Sequence, residues 1–111
     1  MLLEELSLFF PCRNEAENLE ALVGDALSAL PGIAARYEVI VVDDGSTDAT
    51  PEIAARLVAS SGGLVRHLRH EVGSGYGGAL RSGFATARMS AIAFTDGDRQ
   101  FRVADLKRLA D

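Results

Sequence analysis

The stretch Glu38-Val39-Ile40-Val41-Val42-Asp43-Asp44-Gly45-Ser46 is the most informative part of the sequence for the fold class. Residues 38–42 form a continuous, largely β-branched run, which predicts a strand, and polar residues follow at once. A helix is expected next, because Thr50 suits the N-cap, Pro51 suits the first helical position and Gly62-Gly63 would end the helix. A strand that leads directly into a helix is typical of α/β proteins.

The same pattern precedes this unit. Residues 6–10 are almost wholly apolar and predict a buried strand that ends at Pro11. Asn14 and Glu17 have the spacing of a helix capping box, and apolar residues then recur at helical spacing until Pro31-Gly32. One amphipathic helix with a marked start and stop is therefore expected here.

Two further units follow along the chain. Residues 64–68 predict a weaker strand, as expected near a sheet edge, and they lead into the glycine-rich segment 73–78 and a helix around residues 79–87. Residues 91–94 predict a fourth strand, and residues 103–109 predict the beginning of a fourth helix. Four alternations of strand and helix predict an α/β fold with a parallel sheet and right-handed crossovers.

The length of the chain, 111 residues, fits one small domain or a piece of a larger protein. We expect a single domain over residues 1–111. In a parallel sheet the segments after strands one, two and four emerge at the same carboxyl edge, where open α/β folds bind ligands. Polar residues that are distant in sequence are thereby expected to meet at one edge.

The composition excludes several classes of protein. With 48% hydrophobic and 24% charged residues, wholesale disorder is excluded, and a net charge of −5 gives no basic field for a nucleic-acid partner. The single cysteine, Cys12, cannot form an intramolecular disulfide and is interpreted as a small buried residue. Because a single cysteine needs no oxidising compartment, a cytoplasmic location is expected. No apolar run approaches the roughly 18 residues of a membrane span.

Asp96-Gly97-Asp98, followed by Gln100, is the sharpest candidate for chemistry. Two carboxylates and an amide at alternate positions beyond a strand are hard oxygen ligands suited to Mg²⁺ or Mn²⁺. An acidic protein that binds a diphosphate next to carboxylates needs such a cation. The alternative is a polar turn in which an aspartate caps the next helix.

The adjacent acids Asp43 and Asp44 end the strand at residues 38–42. Neighbouring side chains point in different directions, so one carboxylate can accept from a ribose hydroxyl or a base N–H while the other caps the turn. The alternative is that both only build the turn. A paired acid at a strand end also occurs in phosphoryl-transfer receiver domains, so the pair alone does not identify a reaction.

Gly73, Gly75 and Gly78 have the spacing G-x-G-x-x-G of dinucleotide-binding folds. They follow the third and weakest strand rather than the first, which favours a glycine-rich turn where the backbone approaches a ligand. Arg81 in the following helix is then either a phosphate or base contact or a surface salt-bridge residue.

Other polar residues near the expected edge have two interpretations each. Glu15 either reaches the ligand edge or favours the first turn of a helix, and Arg13 either contacts an anion or is solvated. His67 and His70 are interpreted as ordinary strand and loop residues, since no third metal ligand lies near them in sequence.

Four segments in this order resemble glycosyltransferase family 2, in the branch similar to dolichol-phosphate mannose synthases. The segments include Pro11-Cys12-Arg13-Asn14-Glu15, Val41-Val42-Asp43-Asp44-Gly45-Ser46, Gly75-Tyr76-Gly77-Gly78-Ala79-Leu80-Arg81 and Phe94-Thr95-Asp96-Gly97-Asp98. The resemblance implies a Rossmann-like GT-A fold and a divalent cation, Mg²⁺ or Mn²⁺. It also implies inverting transfer of a sugar from a UDP- or GDP-linked donor to an acceptor such as a polyprenyl phosphate or a cell-envelope glycan.

The resemblance also implies roles for individual residues. Nucleotide-sugar binding would involve Pro11, Arg13, Glu15, Val41, Asp43, Asp44, Arg81, Asp96 and Gly97, and metal binding would involve Asp96, Asp98 and Gln100. Arg13 departs from the family, which usually has an aromatic residue there, and Arg99 replaces a small or apolar residue. The catalytic base and acceptor site are expected C-terminal to the aspartate motif, beyond Asp111.

The leading expectation is therefore the donor-binding portion of a metal-dependent glycosyltransferase, at the inner face of a membrane in a full-length form. A non-catalytic nucleotide-binding or interaction domain is the alternative, and a dinucleotide-binding domain is a third. A sheet edge left bare by the fourth strand predicts self-association or a partner at that edge.

Overall fold

The computed structural model describes residues 2–95. Four strands alternate with three helices, and a short 3₁₀ turn follows the first helix. The elements are β1 (Leu3–Cys12), α1 (Ala16–Ala29), the 3₁₀ turn (Leu30–Gly32), β2 (Ala34–Asp44), α2 (Thr50–Ser60), β3 (Val65–His70), α3 (Gly75–Thr86) and β4 (Ala91–Phe94). The expected fourth helix and the Asp96-Gly97-Asp98 motif lie outside the described residues.

The strands form one sheet in the order β3-β2-β1-β4, and every neighbouring pair is parallel. The predicted α/β fold with a parallel sheet is thus confirmed. β3 is an edge strand of the described sheet, as its interrupted apolar pattern predicted, and β4 forms the other edge. Self-association through β4 stays a prediction.

The two faces of the sheet are covered differently. One face packs against α1 and α2 through buried residues such as Phe10, Val41 and Leu22. The other packs against α3 through a smaller cluster that includes Phe9 and Ala79. Buried side chains on both faces of β1 and β2 explain why these two strands are continuous apolar runs in the sequence.

α3 approaches the sheet closely at Gly83, because a Cβ atom there would overlap the ring of Phe9. Phe9 also packs edge-on against Phe84 and in a stacked arrangement against Phe94, with ring centroids 5.2 and 5.4 Å away. Phe84 and Phe94 remain 46% and 40% exposed, so the β4 side of this face is incompletely covered within residues 2–95.

Several predicted boundaries differ from the structure. β1 does not end at Pro11 but continues to Cys12. Pro11 pairs with Val42 of β2, whereas the described part of β4 pairs only with residues 6–9 of β1. A proline is tolerated where one side of its strand lacks a ladder partner, since its missing N–H is not needed there.

The predicted start of the first helix is also wrong in detail. α1 has Glu15 at the N-cap, and the Glu15 side chain accepts from no backbone N–H of the first turn, so Asn14 and Glu17 do not form a capping box. Asn14 has a left-handed backbone, with φ of 55°. In α2, Thr50 is the first helical residue and Ala49 is the N-cap, a shift of one position from the prediction.

No helix within residues 2–95 combines the length and apolar character needed to cross a bilayer.

Candidate functional site

The carboxyl edge of the sheet brings the first two interstrand loops together. The backbone N–H of Asn14 donates to Ser46 Oγ over 2.9 Å, and Asn14 Oδ1 accepts from the N–H groups of Thr47 and Asp48 at 2.8 and 3.3 Å. Asn14 tolerates the left-handed backbone better than most residues, and this conformation accompanies its contacts with the β2–α2 loop. The loops after β1 and β2 are therefore held as one unit.

Asp48 caps two helices at once. Its Oδ1 accepts from the N–H of Thr50, and its Oδ2 accepts from the N–H of Ala16 at the start of α1. The hydroxyl of Thr50 in turn accepts from the N–H of Glu15. The hydrogen bond from the Thr50 side chain is the main reason that the pKa of Asp48 is lowered. This carboxylate is thus an anchor for the N-termini of α1 and α2.

Asp43 is fully buried at the end of β2. Its Oδ1 accepts from the N–H of Ser46, so one oxygen builds the turn, while Oδ2 has no hydrogen-bond partner within the described residues. His67 Nε2 lies 3.9 Å from this oxygen and is also without a partner there. Burial lowers the pKa of His67, which favours a neutral ring beside the carboxylate.

Asp44 accepts hydrogen bonds from the start of α3. Its Oδ1 accepts from the N–H and hydroxyl of Ser74, both at 2.9 Å, and its Oδ2 accepts from the N–H of Gly75 at 2.9 Å. His70 Nδ1 lies 2.8 Å from Oδ1. Burial alone would raise the pKa of Asp44, but these donors lower it to about 2. Asp44 is therefore a carboxylate at neutral pH that neutralises the N-terminus of α3.

This arrangement bears on the dinucleotide alternative. In dinucleotide-binding folds the glycine-rich turn leaves helix N–H groups free for a pyrophosphate. Here the N–H groups of Ser74 and Gly75, inside the G-x-G-x-x-G spacing, already donate to Asp44. The observed contacts therefore disfavour a dinucleotide site at the start of α3.

A cleft of about 230 Å³ opens beside Asp44, between the end of β1 and the first turns of α3. It is lined by Pro11, Cys12, Arg13, Asp44, Gly75, Tyr76 and Ala79. Sites for whole small molecules usually measure about 300–1,000 Å³, so the described cleft suits one part of a ligand, such as a ring. Its lining is largely apolar, with one cation and one anion.

The predicted site residues are distributed unequally around this cleft. Pro11, Arg13 and Asp44 line it. Val41 is fully buried in the core, and Asp43 is buried behind the turn at the end of β2. Two more predicted residues flank the edge: Glu15 accepts from the side chain of Asn18, and the exposed Arg81 lies near Gly77 and Gly78.

The structure also reveals site residues that the sequence interpretation missed. Tyr76 lines the cleft, and His70 is not a loop residue but the last residue of β3, paired in register with Asp44. The sequence pattern does not predict the end of β3, because the apolar residues stop at Leu68 and the polar Arg69 and His70 follow. The neighbouring interpretations of His67 as a strand residue and Cys12 as a buried residue are confirmed.

The predicted metal ligands Asp96, Asp98 and Gln100, with Gly97, lie outside the described residues. Across residues 2–95 no group of three His, Cys, Asp or Glu side chains is placed to hold a metal ion. The N–H of Thr95 donates to the carbonyl oxygen of Phe9, so strand pairing reaches the residue before Asp96. Two carboxylates and an amide are a donor set that fits Mg²⁺ or Mn²⁺.

Residues 7–111 match the protein family described as Glycosyl transferase family 2. The chain is 40% identical over 96 residues to a dodecaprenyl-phosphate galacturonate synthase from Rhizobium johnstonii, covering 86% of this chain and 28% of the relative. It is 35% identical over 112 residues to a human dolichyl-phosphate beta-glucosyltransferase, covering 96% of this chain and 35% of the relative. The chain thus spans about a third of these relatives.

Solved structures give a concordant result. The mannosyltransferase PcManGT from Pyrobaculum calidifontis, in complex with GDP-Man and Mn²⁺, aligns with a TM-score of 0.80 and 25% identity, covering 100% of this chain and 34% of that chain. S. aureus TarS 1-349 in complex with UDP aligns with a TM-score of 0.77 and 25% identity, covering 96% and 31%. These neighbours confirm the predicted GT-A fold class.

Proposed function

The chain belongs to glycosyl transferase family 2, and we propose that it is the donor-binding portion of a metal-dependent glycosyltransferase. The donor is a UDP- or GDP-linked sugar, and the sugar is transferred with inversion to an acceptor such as a polyprenyl phosphate or a cell-envelope glycan. The relatives named above carry dodecaprenyl-phosphate and dolichyl-phosphate in their names, and the structural neighbours hold UDP or GDP-Man. These names support a nucleotide-linked sugar as the donor and a polyprenyl phosphate as the acceptor.

The observation that carries the proposal is the cleft at the carboxyl edge of the sheet, where three loops meet beside the strand that precedes the aspartate motif. Pro11 and Ala79 give it apolar surface, and Arg13 gives it a cation. Apolar walls suit the faces of a nucleobase, and a guanidinium can stack on a base or pair with a phosphate. A nucleoside with attached phosphates combines these features in one ligand.

Asp43, at the end of β2 next to Asp44, is proposed to contribute to nucleotide recognition. Its Oδ2 is buried without a hydrogen-bond partner among the described groups, which is costly for a carboxylate oxygen. In the complex, a ribose hydroxyl or a base N–H of the donor would supply the missing hydrogen bond to this oxygen. Asp44 cannot take this role without giving up the donors of α3.

The diphosphate needs a counter-charge in a chain whose net charge is −5. Arg13 and Arg81 supply local positive charge near the edge. Asp96, Asp98 and Gln100 would hold Mg²⁺ or Mn²⁺, which when bound neutralises charge on the departing nucleoside diphosphate. The base that deprotonates the acceptor is expected C-terminal to this motif, and a location at the inner face of a membrane follows only if the acceptor is a lipid phosphate.

Calorimetric titration with UDP-glucose and GDP-mannose, each with and without Mn²⁺, tests the proposal. We expect one of the two donors to bind in the presence of Mn²⁺ and to lose at least tenfold in affinity in Asp98→Ala. Glu20→Ala, which removes an exposed acid on α1, is the matched control and should bind as the wild type does. Binding that needs no metal and survives Asp98→Ala would contradict the proposal.

A non-catalytic nucleotide-binding domain remains the alternative, and a transfer assay separates the two. Incubation with a radiolabelled donor, Mn²⁺ and a polyprenyl phosphate should yield labelled lipid if the chain, or a longer protein that contains it, is an enzyme. Donor binding without transfer by the longest natural form would favour the alternative.

A further inference from the structure

α3 is tied to the sheet at both of its ends. At its N-terminal end Asp44 accepts from the N–H groups of Ser74 and Gly75. At its C-terminal end the guanidinium of Arg66, on β3, donates to the carbonyl oxygen of Thr86 over 3.1 Å. The two attachments lie at opposite ends of the helix, and only the first is next to the cleft.

His70 adds a further contact between the sheet and α3. Its Nδ1 is 2.8 Å from Asp44 Oδ1, and its Nε2 is 2.9 Å from the hydroxyl oxygen of Ser82. Because a carboxylate only accepts, Nδ1 carries the proton that it donates to Asp44. In the neutral ring Nε2 then accepts from the Ser82 hydroxyl, and the imidazole joins the end of β2 to the middle of α3.

This connection lies directly behind the wall of the cleft. Gly75, Tyr76 and Ala79 form that wall, and Ser82 lies three residues after Ala79, on a neighbouring part of the same helix. Asp44 holds the first turn of α3, and Arg66 holds its last residue, Thr86. The hydrogen bond at Ser82 fixes the part of the helix between these two attachments, next to the residues that form the wall.

The residues that donate to Asp44 are closely packed, so the first turn of α3 is held in one position. A Cβ atom at Gly78 would overlap the side chain of Ser74, and Gly75 has a left-handed backbone with φ of 83°. The low pKa of Asp44, about 2, agrees with a fully formed set of donors. His70 is 20% exposed at its side chain, so its ring is held mainly by protein contacts rather than by water.

We propose that His70 is a positioning residue for nucleotide binding: by joining Asp44 to Ser82 it holds the α3 wall of the cleft, with Tyr76, at the distance from Arg13 that a bound nucleotide requires. The inference rests on the proposed function and deepens it, since neither His70 nor Ser82 lines the cleft within the described residues. Both act through the helix that they hold.

Binding of UDP and of GDP, each with Mn²⁺, is measured by calorimetry for His70→Ala, Ser82→Ala and the double variant. Each single variant should weaken the nucleotide that the wild type binds by roughly tenfold, the effect expected for loss of about one hydrogen bond. The double variant should be no weaker than the worse single variant, because both substitutions break the same connection.

Arg66→Ala is the control, because it releases the other end of α3 and removes one donor to the buried Glu38, while the residues that line the cleft keep their contacts. It should lower the melting temperature at least as much as His70→Ala yet keep the nucleotide affinity within twofold of the wild type. Hydrogen exchange supplies a ligand-free readout: the N–H groups of Ser74 and Gly75 should exchange faster in His70→Ala but not in Arg66→Ala.

The possible results are distinguishable. Wild-type affinity in His70→Ala and Ser82→Ala, or an equal loss in Arg66→Ala, would overturn the positioning role and leave the proposed function standing. Absence of any UDP or GDP binding by the wild-type chain would overturn the proposed function and the role that rests on it.

Discussion

Replacing the buried Glu38 with glutamine should destabilise the protein strongly and in a pH-dependent way. Glu38 is 1% exposed in β2 and accepts from Ser7 Oγ at 2.6 Å, from Arg66 Nη1 at 2.9 Å and from both the backbone and the side chain of Arg88 at 2.9–3.0 Å. Burial by itself would raise the pKa of this carboxyl, but the donors lower it from 4.5 to about 2.

The size of the effect follows from this pKa. A difference of about 2.5 units between the unfolded and folded chain corresponds to roughly 3 kcal/mol of stability at pH 7. Because the folded pKa lies below the unfolded one, this contribution is complete above about pH 4.5 and is lost as the pH falls towards 2. Glutamine is close in shape to the protonated acid, so Glu38→Gln should lose about 3 kcal/mol at neutral pH.

Urea unfolding monitored by circular dichroism at pH 7 and at pH 3 measures this difference. The difference in the free energy of unfolding between the wild type and Glu38→Gln should be markedly smaller at pH 3 than at pH 7. Glu5→Gln is the matched control, since Glu5 lies in the same sheet but pairs with an Arg36 that is 65% exposed, and it should cost less than 1 kcal/mol. A loss below 0.5 kcal/mol for Glu38→Gln, or one that does not change with pH, would refute the reasoning.

Three further outcomes are expected. Gly83→Ala should cost about 1–3 kcal/mol by overlap with Phe9, whereas Gly24→Ala, with open space around it, should gain roughly 0.5–1 kcal/mol in the same thermal unfolding experiment. Asp44→Asn should cost about 2 kcal/mol at pH 7, with the difference vanishing in urea titrations as the pH falls from about 4 to 2. Light scattering should detect self-association that Phe94→Ser reduces, and a monomer at all concentrations would contradict that prediction.

Much of the fold was predictable from local sequence. The run at residues 38–42 and the apolar residues 91–94 are strands because burial on a parallel sheet demands continuous apolar segments, and the structure gives the fourth strand the same bounds. The meeting of the loops after β1 and β2 at one edge follows from parallel pairing alone, so the sequence predicts Arg13 and Asp44 on the same side of the sheet.

Errors arose where a distant partner outweighs the local signal. Asn14 looked like a capping residue, but its acceptor oxygen is used by N–H groups 33 and 34 residues further along the chain. Pro11 looked like the end of a strand, but whether a proline is tolerated depends on which neighbouring strands pair beside it. Neither the contacts of Asn14 nor the strand pairing beside Pro11 can be inferred from the residues adjacent in sequence.

His70 shows most clearly what sequence patterns miss. Its role depends on the register that pairs it with Asp44 and on the turn of α3 that brings Ser82 to its other nitrogen. A single sequence fixes neither the register nor the helix rotation, because both follow from how whole elements pack. The order of the two acids likewise does not show which N–H groups each accepts from: Asp43 accepts from Ser46, and Asp44 accepts from Ser74 and Gly75.

Amide NMR of the ¹⁵N-labelled chain tests most directly whether nucleotide and metal bind at the carboxyl edge of the sheet. Addition of UDP or GDP with Mg²⁺ should shift the amide signals of Cys12, Arg13, Gly75 and Tyr76, and replacing Mg²⁺ with Mn²⁺ should broaden those same signals. The signals of Ala34, Leu64 and Ser90, at the amino edge, should be unaffected. Shifts at the amino edge, or no shift in the cleft with either nucleotide, would contradict the account.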